Sequence, residues 1–298
     1  MPTETVYGLA GNAYSDDAIK KIFELKKRPF YNPLIVHIKS AAFLHEVAQD
    51  IPATALQLAA HFWPGPLTLV LKKQPHIPHL VTGGKDTVAV RMPNHPAALA
   101  LLQQLDFPLA APSANPFGSV SPTTAAHVSA YFADTLEVIL DGGACTSGVE
   151  STIIGFENEE PVLYRHGGIP IEDIEQVAGK LKVITNNNNH SPNAPGMLSR
   201  HYAPKTPTWL TNNVSGLLKT FEGKRAGLLL FKNGITSSKV VVQEVLSEKG
   251  DLKEAASKLY AAMHRLDNEK LDLIIAEKFP DEGLGKTLND RLQRAARD

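Results

Sequence analysis

The chain alternates short apolar runs with amphipathic stretches along most of its length, and one asparagine- and proline-rich segment after residue 182 interrupts the pattern. Strand-length runs separated by helix-length runs lead to a sheet with helices packed on it. A single break within 298 residues points to two such units, since one hydrophobic core stops growing at about 250 to 300 residues. In the first half Ser15 caps a helix with Asp16 and Asp17 in its first turn and Ile19, Ile22 and Phe23 on one face, and Pro29 closes it. Strands are predicted at 33–38, 67–71, 86–93, 108–111, 137–141, 149–156 and 161–166, and helices at 40–48, 52–62, 95–105, 122–132 and 170–180. The second half has predicted strands at 207–211, 225–231, 239–244 and 272–278 and helices at 213–221, 251–266 and 284–297. That is a smaller Rossmann-like α/β domain, without the G-x-G-x-x-G element that dinucleotide binding would need. The expected division is a first domain at 1–180, a linker at 181–206 and a C-terminal domain at 207–298.

Composition excludes several classes. Hydrophobic residues at 43% and charged ones at 20% suit a globular protein and rule out a disordered or fibrous one. A net charge of -1 gives no global pull toward nucleic acid or an anionic membrane, so an anion site must be a local cluster of Lys and Arg. No apolar run reaches the roughly 20 residues that span a bilayer, and the start lacks the pattern of a signal peptide; the expected location is the cytoplasm. Cys145 is the only cysteine and reads as buried or incidental. No metal-spaced Cys/His set, G-x-S-x-G elbow or H-E-x-x-H helix occurs.

Chemistry concentrates in polar clusters beside strands. Thr3-Glu4-Thr5 precedes Gly8 in a turn at the start of the chain, where α/β proteins present ligand-binding loops. Lys26 and Arg28 end the first helix; two cations suit an oligophosphate, and they equally complement a helix dipole. Ser113 and Asn115 follow a strand between two prolines and suit phosphate or a hydrated metal, though both are ordinary turn residues, and Ser121 offers either another hydroxyl or a helix cap. Arg91 stands within an apolar alternation and needs a partner, which a substrate carboxylate or a structural acid would supply equally well. His37 in an apolar strand reads as a core residue, and Glu150, Ser151, Thr152 and Arg165 put further polar groups at strand ends. Within 194–204 an Arg, a His and a Tyr make the second half of the linker either a spacer or a ligand-contacting clasp.

The motifs PTETVYGL, KKRPFYNPLIVHI, WPGPLTLVL, DTVAVRMPNHP, APSAN, DGG, GVESTII and APGMLSRHYAP stand in one order through the chain. Together they resemble the YrdC-like family, and the linker with the C-terminal domain is similar to its long, two-domain form, the threonylcarbamoyl-AMP synthases. The resemblance implies a twisted mixed sheet with flanking helices in the first domain. It also implies condensation of L-threonine, bicarbonate and ATP into a threonylcarbamoyl-adenylate with release of pyrophosphate. Mg²⁺ would arrive with the ATP phosphates rather than on protein ligands. A separate transferase would then place the group on the anticodon loop of tRNA, and direct tRNA contact is a further possibility. By the same resemblance Lys26 and Arg28 carry the catalytic role and hold the triphosphate, with Thr87, Ser113, Asn115, Ser121, Arg165 and Tyr202 also on the ATP side. Thr3, His37, Arg91 and Ser151 surround threonine, and His201 with Tyr202 lets the linker fold over the cleft. The family carries a helix and a strand ahead of the PTET turn, where this sequence begins, so the resemblance implies either a misplaced start or shortened piece, or a sheet that lacks this strand and exposes its neighbour's edge.

Two other readings use the same residues. A non-catalytic module could bind RNA or tRNA on a basic face, against which the near-zero net charge argues. A domain of a carbamoyl-transfer enzyme such as the hydrogenase maturation factors shares the fold, but the cysteines of their zinc fingers are absent here.

Overall fold

The computed structural model describes residues 1–184, 194–196 and 201–296. The asparagine run at 186–189, Pro192, positions 197–200 of the expected clasp and residue 297 of the last helix lie outside the described residues. Contacts divide the chain into two compact units, Met1–Phe117 with Pro122–Ser199, and Gly118–Ser121 with Arg200–Asp298.

In the first unit the strands are β1 (Gly11–Asn12), β2 (Ile35–His37), β3 (Leu67–Lys72), β4 (Thr87–Arg91), β5 (Leu109–Ala110), β6 (Thr152–Glu157), β7 (Glu160–Arg165) and β8 (Lys182–Val183). Between them run helices α1 (Asp16–Lys26), α2 (Leu44–Val47), α3 (Ala53–Phe62), α4 (His79–Thr82), α5 (Pro96–Gln103), α6 (Ala125–Phe132) and α7 (Ile171–Ala178). The strands form one mixed sheet in the order β1-β5-β2-β4-β3-β6-β7-β8. β2 runs parallel to β4 and β3 to β6, whereas β3 and β4 are antiparallel.

The period of two along each strand sorts side chains onto two faces. Val36, Leu67, Leu69, Leu71, Val88, Val90, Ile154 and Leu163 join the main core, against Ile19, Ile22 and Phe23 of α1, Leu58 of α3 and Ile174 of α7. Complete burial of a side chain such as Leu58 contributes about 2 kcal/mol. The alternate positions Ile35, Val70, Ala89 and Ile153 make a smaller apolar patch on the other face, covered by Ala194. That face turns polar at one end, where the candidate site lies.

The start and stop of α1 follow its sequence. Ser15 Oγ accepts from the Ala18 amide at 3.3 Å, and Lys27 leaves the helix in a left-handed conformation, φ 52°, with its N–H bonded to the Phe23 and Glu24 carbonyls. This sharp exit fixes Lys26 as the last helical residue and turns Arg28 back toward the body of the unit.

Two expectations change. Residues 137–141 form no strand, and Val138 is 80% exposed rather than packed in a core. Tyr7 holds this stretch instead, its hydroxyl donating to the Gly143 carbonyl at 2.7 Å and accepting from the Gly142 amide at 3.1 Å. The two-residue strands β1 and β8 were not anticipated, because a pair of residues carries no periodicity.

The second unit contains β9 (Thr208–Thr211), α8 (Val214–Thr220), β10 (Ala226–Leu230), β11 (Val240–Val245), α9 (Leu252–Asp267), β12 (Leu273–Glu277) and α10 (Leu284–Ala295). Its sheet is parallel in the order β11-β10-β12-β9. All five residues of β10 are buried, as a central parallel strand covered on both faces requires. Asp251 caps α9 by accepting from the Lys253 and Glu254 amides. No helix among the described residues is long and apolar enough to cross a membrane.

Candidate active site

The opening turn is held by its own hydroxyls. Thr3 Oγ1 donates to the Val6 carbonyl at 2.6 Å and lies 2.9 Å from Thr5 Oγ1. A hydroxyl has one proton, so Thr5 donates to Thr3. Thr5 Oγ1 in turn accepts from Arg91 Nη1 at 2.8 Å. Arg91 completes its fork with Nε donating to the Gly65 carbonyl at 3.1 Å and Nη2 lying 2.6 Å from Glu4 Oε1, an ion pair outside hydrogen-bond angles. Both side chains of the pair are at most 6% exposed. Of the two partners open to Arg91 from the sequence, the structure supplies the acid. Deleting one member of such a pair strands a buried charge, at a cost of about 3–5 kcal/mol.

Arg91 is also one of a row of polar side chains across the sheet. His37 is its register partner on β2. Continuing the Leu69↔Val90 pairing by one residue brings Thr68 beside it on β3. Thr68 Oγ1 shares a 2.7 Å hydrogen bond with Ser151 Oγ. Arg165 on β7 donates to the Ser151 carbonyl from Nη2 at 2.8 Å and Nε at 3.2 Å and to its Oγ from Nη2 at 3.2 Å, while Nη1 donates to the Pro195 carbonyl at 3.1 Å. Gly167 permits this packing: a Cβ there would stand 2.2 Å from the backbone of Ser151 and Thr152. Burial, reinforced by the Arg91 cation, lowers the His37 imidazole to about 3, so the ring is neutral. Its Nδ1 is buried without a well-formed hydrogen bond.

The second cluster borders the same turn. Backbone bonds join Leu9 to Pro112 and Ala114 to Tyr7, and Gly8 pairs with Ser113. Lys26 Nζ donates to the carbonyls of Ser113 and Asn115, each at 2.5 Å, and the Phe117 amide returns a bond to the Lys26 carbonyl. Desolvation, with the Arg28 charge second, pulls the Lys26 ammonium well below its usual range. Arg28 Nη2 donates to Asn32 Oδ1 and the Pro33 carbonyl, both at 2.7 Å, and its guanidinium lies 5.9 Å from the Phe117 ring centre. Both cations are buried and bind neutral carbonyl and amide oxygens of neighbouring loops.

Thr3, Lys26, Arg28, His37, Arg91, Ser113, Asn115, Ser151 and Arg165 thus meet around one turn and one sheet end. Thr87 starts β4, four residues or about 13 Å from Arg91 along the strand. Ser121 and Tyr202 belong to the second unit, where the Ser121 carbonyl meets His264 Nε2 at 3.1 Å. The sequence did not single out Glu4, Thr5, Thr68 or Asn32 as partners. An acid between two threonines and an arginine in an apolar strand are matching signals, but their 87-residue separation hides the pairing. Cys145 is buried and its thiol is pushed up to about 12, chiefly by desolvation. Among the described residues no three His, Cys, Asp or Glu side chains converge as a protein metal site would.

Residues 1–167 match the Sua5/YciO/YrdC family model, described as "Telomere recombination", and residues 169–297 match "Threonylcarbamoyl-AMP synthase, C-terminal domain". The chain belongs to this family. It is 42% identical to the threonylcarbamoyl-AMP synthase of Pyrococcus abyssi over 99% of its own length and 89% of the relative's. The Bacillus subtilis threonylcarbamoyl-AMP synthase is also 42% identical, with 99% and 88% covered. Among solved structures, P. abyssi Sua5 in complex with L-threonine superposes with a TM-score of 0.92 over 99% of this chain and 89% of that one. The two-domain Sua5 architecture therefore extends over the chain; of the residues above, Tyr202 falls in the C-terminal-domain match and the other expected site residues within 1–167.

Proposed function

We propose that the chain synthesises threonylcarbamoyl-AMP from L-threonine, bicarbonate and ATP, the activity for which its 42%-identical relatives are named. The observation that carries the reading is the polar row His37, Arg91, Thr68, Ser151 and Arg165, set beside the turn of Thr3 and the Lys26-bound loop. The threonine amine captures carbon dioxide from bicarbonate as a carbamate, with loss of water. A carbamate oxygen then attacks the α-phosphorus, the bond to the bridging oxygen breaks, and pyrophosphate leaves with that oxygen. No protein nucleophile is required, in keeping with a lone cysteine that is buried and protonated.

On this reading Thr3, His37, Arg91 and Ser151 surround threonine. A neutral His37 accepts or donates one hydrogen bond without adding charge beside Arg91. Lys26 and Arg28 serve the triphosphate, with Ser113, Asn115, Ser121, Thr87, Arg165 and Tyr202 on the nucleotide side. Lys26 does so by fixing the loop whose carbonyls it binds, and positioning of this kind is the larger part of catalysis in phosphoryl and nucleotidyl transfer. Mg²⁺ enters as the counter-ion of the ATP phosphates and so as part of the substrate. The catalytic domain is taken as 1–180, the linker as 181–206 and the C-terminal domain as 207–298. The product would pass to a separate transferase acting on tRNA in the cytoplasm.

The test is incubation of the full chain with ATP, Mg²⁺, bicarbonate and ¹⁴C-threonine, resolving nucleotides chromatographically. A labelled adenylate formed with stoichiometric pyrophosphate supports the proposal. ATP turnover without threonine incorporation, or no turnover with active relatives run in parallel, refutes it.

A further inference from the structure

In the second unit side chains of α9 and α10 hold two short segments, 201–203 and 118–121. Tyr202 is 1% exposed and adopts φ 62°, a left-handed conformation that is unfavourable for a residue with a Cβ. Such a conformation persists where the surroundings hold it. The Tyr202 ring stacks on Tyr260 of α9 at 5.9 Å, meets His201 edge-on at 4.1 Å, and has the Arg291 guanidinium of α10 over it at 4.8 Å. Arg291 is completely buried and paired with Asp290, which also accepts from Arg294 at 2.9 Å. The Arg294 carbonyl accepts from the His201 amide at 3.1 Å.

Ala203, next to Tyr202, and His264 carry Gly118–Ser121. The Ala203 amide donates to the Gly118 carbonyl at 2.8 Å, Ser119 pairs with Ala203 in parallel, and His264, one turn after Tyr260 on α9, reaches the Ser121 carbonyl. The held segment continues directly into functional backbone at both ends. Before it comes Phe117, whose amide binds the Lys26 carbonyl; after it comes Pro122, whose carbonyl accepts from the Tyr7 amide.

We propose that Arg291 is a positioning residue for the nucleotide side of the reaction. By locking Tyr202 it fixes His201–Ala203, and through that segment Gly118–Ser121 and the loop that Lys26 grips. This gives the C-terminal domain a role, that of ordering residues 113–122, and it rests on the synthase reading for its kinetic consequence only.

The experiment compares wild type with Arg291→Met, which keeps the length and loses the cation, and with Arg291→Lys, which keeps the charge and loses the planar stack. Hydrogen exchange read by mass spectrometry should be about tenfold faster in peptides covering 117–122 and 201–204, with β10 and β12 unchanged. The KM for ATP should rise about tenfold and the KM for threonine stay within about twofold, because the held loop lies on the nucleotide side. Unchanged exchange at 117–122 in a folded variant overturns the proposal, as does an equal rise in both KM values. Should both Arg291 variants unfold the second unit, His264→Ala removes the contact to Ser121 from a less buried position. It should speed exchange at 117–122 alone, and no change there is equally fatal. A wild type without adenylate synthesis would refute the function while leaving the exchange result to decide this inference.

Discussion

Replacing His37 with Asn should remove a large acid-sensitive contribution to stability of the first unit. The folded imidazole is lowered to about 3 by burial first and the Arg91 charge second, against about 6.5 in an unfolded chain. Its folded state therefore binds fewer protons than its unfolded state between these values, so stability rises with pH there. The contribution is fully present above pH 6.5 and is lost as pH falls, at about 1.4 kcal/mol per pH unit, reaching about 2 kcal/mol by pH 5. Asparagine keeps a polar group at the site and titrates nothing. The measurement is urea unfolding at pH 8, 7, 6 and 5 followed through Trp63, which is 9% exposed in the first unit, with Trp209 changed to Phe in both proteins so that only this unit is read. Between pH 8 and pH 5 the wild type should lose about 2 kcal/mol more than His37→Asn, whatever the offset between them at pH 8. Parallel curves would mean that His37 charges in the folded protein at no cost, and that the ring is hydrated or paired rather than sealed beside Arg91.

Lys26→Met should destabilise the first unit by about 2–4 kcal/mol, because it leaves the Ser113 and Asn115 carbonyls without their donor; a change below 0.5 kcal/mol in urea unfolding would show that water replaces the ammonium. Gly167→Ala should cost about 1–3 kcal/mol or more and weaken threonine use, since the added methyl drives into the backbone of Ser151; wild-type melting and threonine KM would refute the close-packing account. Cys145, buried and raised to about 12, should react with iodoacetamide at pH 8 only after unfolding; complete labelling of the native protein within minutes would contradict its placement.

The fold was legible where periodicity runs long enough. The helix over α1, with its Ser15 cap and acidic first turn, and the alternation Thr87 to Arg91 both specify their elements and faces locally. The stretch 137–141 has the same apolar texture and forms no strand, since strand formation depends on packing and pairing in the surrounding structure and not on the five residues alone. The site shows the same division. Lys26, Arg91 and Ser151 could be picked out as polar groups at element ends, and the structure does gather them. What each one touches was hidden, since Arg91 meets Glu4 and Ser151 meets Thr68 across 87 and 83 positions. Residue chemistry limited the partner of Arg91 to a carboxylate but not to one source. The outcome bears on substrate recognition. With Glu4 already at 2.6 Å, a substrate carboxylate can bind Arg91 only by sharing or displacing a buried ion pair. If Arg91 receives the threonine carboxylate, as proposed, Glu4 is a built-in competitor for it, and Glu4→Gln should lower the KM for threonine. It should raise that KM if the work of Arg91 is to hold Thr5 and, through it, Thr3.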